Sequence, residues 1–162
     1  MAWMIRDVRG SDLSRLAMLV VRCFGEGWGR SALAKSLEDS MSRMRIAFDE
    51  SGALSGFVIA RRVADIVEID LLGVAPERRR EGCAVALLED LIEREVARGA
   101  AELRLELRES NHSAHALYAG LGFVVVGTRS RYYPDGENAT LLTCSSERAV
   151  SLQPRIETGT ET

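Results

Sequence analysis

Between Ile66 and Leu107 the sequence reads as a strand, a basic turn, a helix and a second strand, and this unit constrains the fold more than any other stretch. Ile66 to Val74 is apolar enough for a buried strand. Pro76 breaks it, because proline has no N–H for a ladder. From Ala84 to Arg98 the apolar residues return at helical spacing. Leu88, Leu91 and Ile92 share a face, while Glu89, Asp90, Glu93 and Arg94 fall largely on the other. Gly99 stands where a helix C-terminal glycine belongs. Ala101 to Leu107 then alternates, with Leu103, Leu105 and Leu107 on one side and Glu102, Arg104 and Glu106 on the other. Two strands joined through a helix in this way form a parallel crossover.

The turn inside that unit is Arg79-Arg80-Glu81-Gly82-Cys83-Ala84. The first N–H groups of a helix have no partner inside it, and the dipole there favours negative charge. Gly82 lets the backbone approach a ligand where a Cβ would intrude. The spacing from Pro76 is too short for a Walker loop, and no Lys-Ser or Lys-Thr pair is present. The pyrophosphate of a nucleotide-type cofactor is the natural guest. By itself the turn also fits an ordinary solvated loop that happens to carry arginines.

Around this unit the chain divides at its turn residues. Trp3 to Val8 reads as a strand, and Ser11 or Asp12 as the cap of a helix to about Cys23 with Leu13, Leu16, Ala17 and Val20 at core spacing. Gly25, Gly27 and Gly29 surround Trp28 in a loop, and Ser31 to Ser40 reads as a short helix. Arg45 to Phe48 and Leu54 to Val63 are strands about a turn at Asp49-Glu50-Ser51-Gly52. Asn111 or Ser113 caps a short helix to about Gly120, and Phe123 to Val126 is a strand. Pro134-Asp135-Gly136 marks a turn before a last strand from Ala139 to Cys144. The expected order is βααβββαβαββ. The fold class is α/β (α+β), with a mixed, mostly antiparallel sheet, one parallel crossover and helices on both faces.

With 162 residues a single domain over 1–150 is expected, followed by a tail, 151–162, too poor in apolar residues to hold a fold. A net charge of −3 argues against a general nucleic-acid binder. Cys23, Cys83 and Cys144 are scattered, as free thiols in a reducing cytoplasm would be, and do not form a zinc site. Charge appears almost at once after Met1, so no signal core is expected. No apolar run approaches the roughly 20 residues that span a bilayer. A cytoplasmic protein without membrane, metal or nucleic-acid partners is the resulting expectation.

Four features fall in a fixed order: Arg79-x-x-Gly82-x-Ala84, the strand bearing Glu106, Ser110-Asn111, and Ala116-Leu117-Tyr118-x-x-x-Gly122-Phe123. At these spacings the sequence closely resembles the GNAT acetyltransferase family. Within it the chain resembles the bacterial RimI-type ribosomal-protein alanine N-acetyltransferases and related N-terminal acetyltransferases. The likeness runs from about Leu71 to Leu142 and is weaker from Arg6 to Val63. Tyr132-Tyr133-Pro134-Asp135-Gly136-Glu137-Asn138-Ala139 resembles the hairpin of the N-terminal acetylating branch.

The resemblance implies an acetyl-CoA cosubstrate and a protein N-terminus, that of a ribosomal protein, as acceptor. It implies that the main chain of Leu72, Gly73 and Val74 holds the pantetheine arm and the acetyl carbonyl. Arg79 is the first motif position, and the backbone of Arg80, Glu81, Gly82, Cys83, Ala84 and Val85 cradles the pyrophosphate. Asn111 contacts the cofactor arm. Glu106 is the proton acceptor, Tyr118 faces the sulfur as proton donor, and Tyr132 and Tyr133 line the peptide groove; Trp28, in its glycine-rich loop, is a candidate floor of the peptide site beside them.

The residues read by themselves leave alternatives open. Glu106 also fits a solvated polar face, and Glu68 and Asp70 on the neighbouring strand are rival bases. Tyr118 also fits a core aromatic, Trp28 a loop anchor, and Cys83 a small apolar filler. Ala84 takes a motif position where glycine is common, Asn138 stands where a carboxylate is usual, and the Trp28 loop lacks the usual proline–tryptophan–serine run. The Trp28 loop, on the peptide side, keeps acetylation of a small molecule, a polyamine or a lysine side chain open, and a non-catalytic acyl-CoA-binding module is the reading from another class.

Overall fold

The structure, a computed structural model, describes residues 2–25 and 28–152. Gly27 and residues 153–162 of the expected tail lie outside the described residues. The strands are β1 (Met4–Asp7), β2 (Ser42–Phe48), β3 (Leu54–Val63), β4 (Ile66–Val74), β5 (Glu102–Arg108), β6 (Val124–Arg129) and β7 (Ala139–Ser145). The helices are α1 (Leu13–Phe24), α2 (Arg30–Glu38), α3 (Cys83–Ala97), α4 (His112–Gly120) and α5 (Ser146–Leu152). The sheet order is β1-β2-β3-β4-β5-β7-β6. Only β4 and β5 run parallel; all other neighbours are antiparallel. The mixed sheet expected from the sequence is therefore present. The last helix, α5, is an addition to the expected order; it includes Ser151 and carries Ala149 into the core.

Each face of the sheet has its own core. Met44, Ile46 and Phe48 of β2 and Phe57 and Ile59 of β3 pack against Leu16, Val20 and Leu33 of α1 and α2. The alternate residues Ala47, Val58 and Ala60 pack on the opposite face against Leu87, Leu88, Leu91 and Ile92 of α3. Strands buried on both faces read as near-continuous apolar runs, which is how β2 and β3 read. On the helix side, Leu88, Leu91 and Ile92 form the buried stripe that their spacing predicts.

Asp12 does not cap α1 with its side chain. It is almost fully buried and accepts from Arg9 N (2.7 Å), while Arg6 and Arg15 lie 2.7 and 3.3 Å from its oxygens. The carboxylate therefore ties β1 to the start of the helix. Among the described residues no helix is long and apolar enough to cross a membrane.

Candidate active site

The site lies where the sheet parts. β4 and β5 pair only at Ile66–Glu102, Val67–Leu103 and Glu68–Arg104. Directly after this, Ile59 of β3 pairs with Leu71 and Ala60 with Ile69, which leaves Asp70 as the extra residue of a β-bulge. A bulge bends its strand and shifts the phase of its side chains. Val67 and Ile69 before it, and Leu72 and Val74 after it, all pack toward the core under α3. Beyond the bulge β4 and β5 run on without pairing to each other. Their facing edges carry backbone N–H and C=O groups that a ligand can use as a strand would.

Two grooves meet this opening. The first, about 590 Å³, is lined by Leu72, Gly73 and Val74, by the turn before α3, and by Asn111 and Leu117. Gly82 is the N-cap of α3 with φ +87°, and Arg80 also has a positive φ of +64°. A Cβ on Gly82 would meet nothing within 4 Å, so its left-handed backbone is what favours glycine there. Among the described residues the backbone N–H groups from Arg79 to Val85 donate to no protein acceptor; the first bond into α3 runs from Ala86 N to Gly82 O. A row of free N–H groups at a helix N-terminus is an anion cradle. A phosphate-bearing cofactor therefore fits these residues.

Side chains set the walls of that groove. Arg79 Nε donates to the Val74 carbonyl (3.1 Å), as does the Cys23 thiol (3.4 Å). Arg78 binds Asp49 (2.7 Å), and Glu81 turns back toward Arg78 (3.7 Å), so Glu81 offers the groove its backbone alone. Asn111 caps α4 by accepting from Ala114 N (3.2 Å). Cys83 is buried beneath the turn, and burial pushes its thiol up to about 11.

Tyr118 belongs to the core rather than to the groove lining, where Leu117 stands. Its ring packs edge-on against Phe123 at 5.2 Å, and burial raises its phenol far above the ordinary value. The hydroxyl makes no protein hydrogen bond, yet it is not sealed: among the described residues Arg104 Nε is the one fully buried side-chain polar atom without a partner.

The second groove, about 530 Å³, is lined by Glu68, Asp70, Glu106, Arg129, Tyr132 and Tyr133 among others. Glu106 Oε1 lies 3.1 Å from Arg129 Nε. The Glu106 carboxylate, as hydrogen-bond partner first and charge second, raises the Tyr132 phenol. Tyr132 and Tyr133 pack edge to face at 5.1 Å. The Arg108 guanidinium sits 4.2 Å from the Tyr133 ring centre and binds Asp135 (2.8 Å) and Glu137 (2.9 Å). Glu137 also accepts from Ser110 N (2.8 Å); the Ser110 hydroxyl first, then that N–H, and Arg108 after them hold its carboxyl down to about 2. The tyrosine hairpin is thus clamped to the β5–α4 corner. Asn138 serves the same hairpin by accepting from Arg131 N (3.0 Å).

Asp70, the bulge residue, has its carboxyl raised by desolvation in the groove wall and then by Glu68, against the pull of Arg61. By area Asp70 is exposed, and the raise reflects the depth of the wall around its carboxyl rather than full burial. Trp28 enters neither groove. It is half-buried against the core of α1 and α2, and borders a separate shallow hollow with Ala32, Lys35, Ser36 and Asp39. This is the loop-anchor arrangement. Arg129 and Arg108 were not singled out by the sequence, because their partners stand far along the chain: Glu106 on β5 for Arg129, and Asp135 and Glu137 of the β6–β7 loop for Arg108.

The profile described as the acetyltransferase (GNAT) family matches residues 13–123. A ribosomal protein bS18-alanine N-acetyltransferase of Escherichia coli is 31% identical over 140 residues, covering 85% of this chain and 93% of that protein. A putative enzyme of the same description from Bacillus subtilis is 27% identical over 139 residues, covering 85% and 92%. The crystal structure of the ribosomal-protein-S18-alanine N-acetyltransferase from Escherichia coli superposes with a TM-score of 0.81 at 30% identity, covering 89% of this chain and 94% of that one.

Proposed function

The chain belongs to the acetyltransferase (GNAT) family and is an N-acetyltransferase, and from that premise we propose that it transfers acetyl from acetyl-CoA to the N-terminal α-amine of a protein, with a ribosomal-protein alanine as acceptor. The observation that carries the reading is the meeting of the two grooves at the β4–β5 opening: an anion cradle on one side, a carboxylate between tyrosines on the other. The relatives' own acceptor, a ribosomal-protein alanine, supports the finer choice.

When bound, acetyl-CoA supplies an activated acetyl thioester and a thiolate leaving group. The free N–H groups from Arg79 to Val85 hold its pyrophosphate, with the Arg80 guanidinium at the rim. The edge of Leu72, Gly73 and Val74 hydrogen-bonds the pantetheine amides and the acetyl carbonyl, and the Asn111 side chain reaches the arm from α4. An α-amine titrates near ~8, so at neutral pH much of it arrives as ammonium. Glu106 takes that proton, directly or through one water, as the nitrogen becomes the nucleophile. Tyr118 keeps its own proton through the physiological range and hands it to the departing sulfur. Tyr132 and Tyr133 form the wall for the incoming peptide. A thiol pushed up to about 11 is a poor nucleophile, so Cys83 offers no covalent detour.

The test incubates the protein with acetyl-CoA and a panel of N-terminal peptides, read by mass spectrometry. Acetylated α-amines are expected, alanine-initiated peptides foremost. Modification of lysine side chains or small amines alone overturns the reading. That second outcome has one observation in its favour: Glu68, Asp70 and Glu102 line the acceptor groove and suit a polycation.

A further inference from the structure

We propose that Arg129 is a specificity residue of the acceptor groove: it occupies Glu106 as a resident cation that an incoming ammonium must replace. The inference rests on the reading of Glu106 as the proton acceptor, and it adds a rule for what may approach.

The contact is built across the sheet. Arg129 ends β6 and pairs with Ala139 of β7, while Glu106 of β5 pairs with Leu141 of β7. The two side chains therefore meet over β7, at the mouth of the groove. The other nearby guanidiniums are already committed: Arg108 to Asp135 and Glu137, Arg104 to Glu102 (3.2 Å). Among the described residues Glu106 is the one acidic partner of Arg129. The Arg129 side chain is more than half exposed, so the pair is open to exchange with solvent and with ligand. Tyr132 gives the displaced guanidinium somewhere to go, since its ring centre is 5.8 Å away and its face attracts cations.

Charge decides what can make the exchange. Glu106 faces Glu68 and Asp70 from β4, Arg104 from its own strand, Arg129 from β6, and the two tyrosines of the hairpin. With Glu102 the groove holds four carboxylates against two guanidiniums. A cation that takes the place of Arg129 leaves the charge around Glu106 unchanged. A neutral group that displaced it would strand the carboxylate without its counter-charge, and an anion would add repulsion. The groove thus admits the amine in its protonated form and passes it directly to the group that removes the proton.

Steady-state kinetics of Arg129→Gln and Arg129→Lys test this, using whichever amine the unaltered protein acetylates. Exposed ion pairs are weak, so in Arg129→Gln the KM for the amine falls about two- to fivefold. The KM for acetyl-CoA does not move, since that groove is separate. Arg129→Lys restores the original KM. A neutral α-hydroxy analogue of the acceptor, used as a competitive inhibitor, binds beside the intact Arg129–Glu106 pair without displacing it, so it gains less than about twofold from Arg129→Gln. An unchanged or raised amine KM in Arg129→Gln overturns the proposal, and so does equal tightening of the neutral analogue, which would make Arg129 a steric plug. Calorimetric titration of the CoA-loaded protein with the amine and its α-hydroxy analogue gives the same comparison without turnover. Failure of the proposed acceptor appears differently, as turnover of lysine or polyamine by the unaltered protein, and those cations can then serve as the probe.

Discussion

A Cβ on Gly73 would lie 2.7 Å from both Cε1 and Cζ of Phe57. The Phe57 ring is fully buried in the core beneath α1, so it has no open side to move into. Gly73→Ala would press β4 into the opening beside β5. Overpacking of this kind destabilises by about 1–3 kcal/mol. Denaturant unfolding should show that loss, and the KM for acetyl-CoA should rise because the strand edge is displaced. A variant with unaltered stability and acetyl-CoA binding would mean that Phe57 yields easily.

Glu106→Gln keeps the shape of the side chain and removes its basicity. Turnover should fall about a hundred- to ten-thousandfold, the range for a lost general base. The KM for acetyl-CoA should stay put. Normal turnover would move the role to Glu68 or Asp70, of which Asp70 has the raised carboxyl.

Tyr118→Phe separates chemistry from packing unusually well. The hydroxyl makes no protein hydrogen bond, and the edge-on contact with Phe123 depends on the ring alone. Unfolding free energy should change by less than about 0.5 kcal/mol, while kcat drops at least tenfold. Full activity in this variant would leave Tyr118 a core residue.

The acid limb of stability should run through Asp12. Its Arg6 hydrogen bond, against the opposing effect of burial, holds the carboxyl at about 2 instead of the ordinary 3.8. The folded value is the lower one, so the contribution is complete above pH 3.8 and is lost as pH falls through about 2. Asp12→Asn should be less stable than the original by roughly 1–3 kcal/mol at pH 7. Urea unfolding at pH 7, 4 and 2 should show that difference nearly whole at pH 4 and reduced to a small remainder at pH 2. A difference that persists undiminished at pH 2 would mean the loss is not electrostatic.

The turn before α3 and the cap of α4 were legible because their requirements are local. A left-handed Gly82 before α3 and a capping Asn111 before α4 leave their mark within a few residues of sequence. The bulge was not legible: Ile66 to Val74 reads as one buried strand, and an extra residue at Asp70 changes phase without changing composition. Sequence spacing put Tyr118 after Leu117 but could not say which of the two faces the groove. Trp28 stayed ambiguous for a related reason, since a glycine-flanked aromatic looks the same whether it floors a pocket or anchors a loop. The contact of Arg129 with Glu106 needed the strand order itself, because β7 lies between them while following both in sequence.

The three residue pairs that join β4 to β5 are all that hydrogen-bond strands β1–β4 to strands β5–β7. The sheet is in effect two half-sheets held by a short seam, with one apolar core shared beneath β4 and β5. A ligand arm lying in the opening would act as a temporary eighth strand and close the seam along its length. Substrate binding and mechanical completion of the fold are then one event. Amide exchange at Leu71–Val74 and Leu105–Leu107 is where that closure would be felt first.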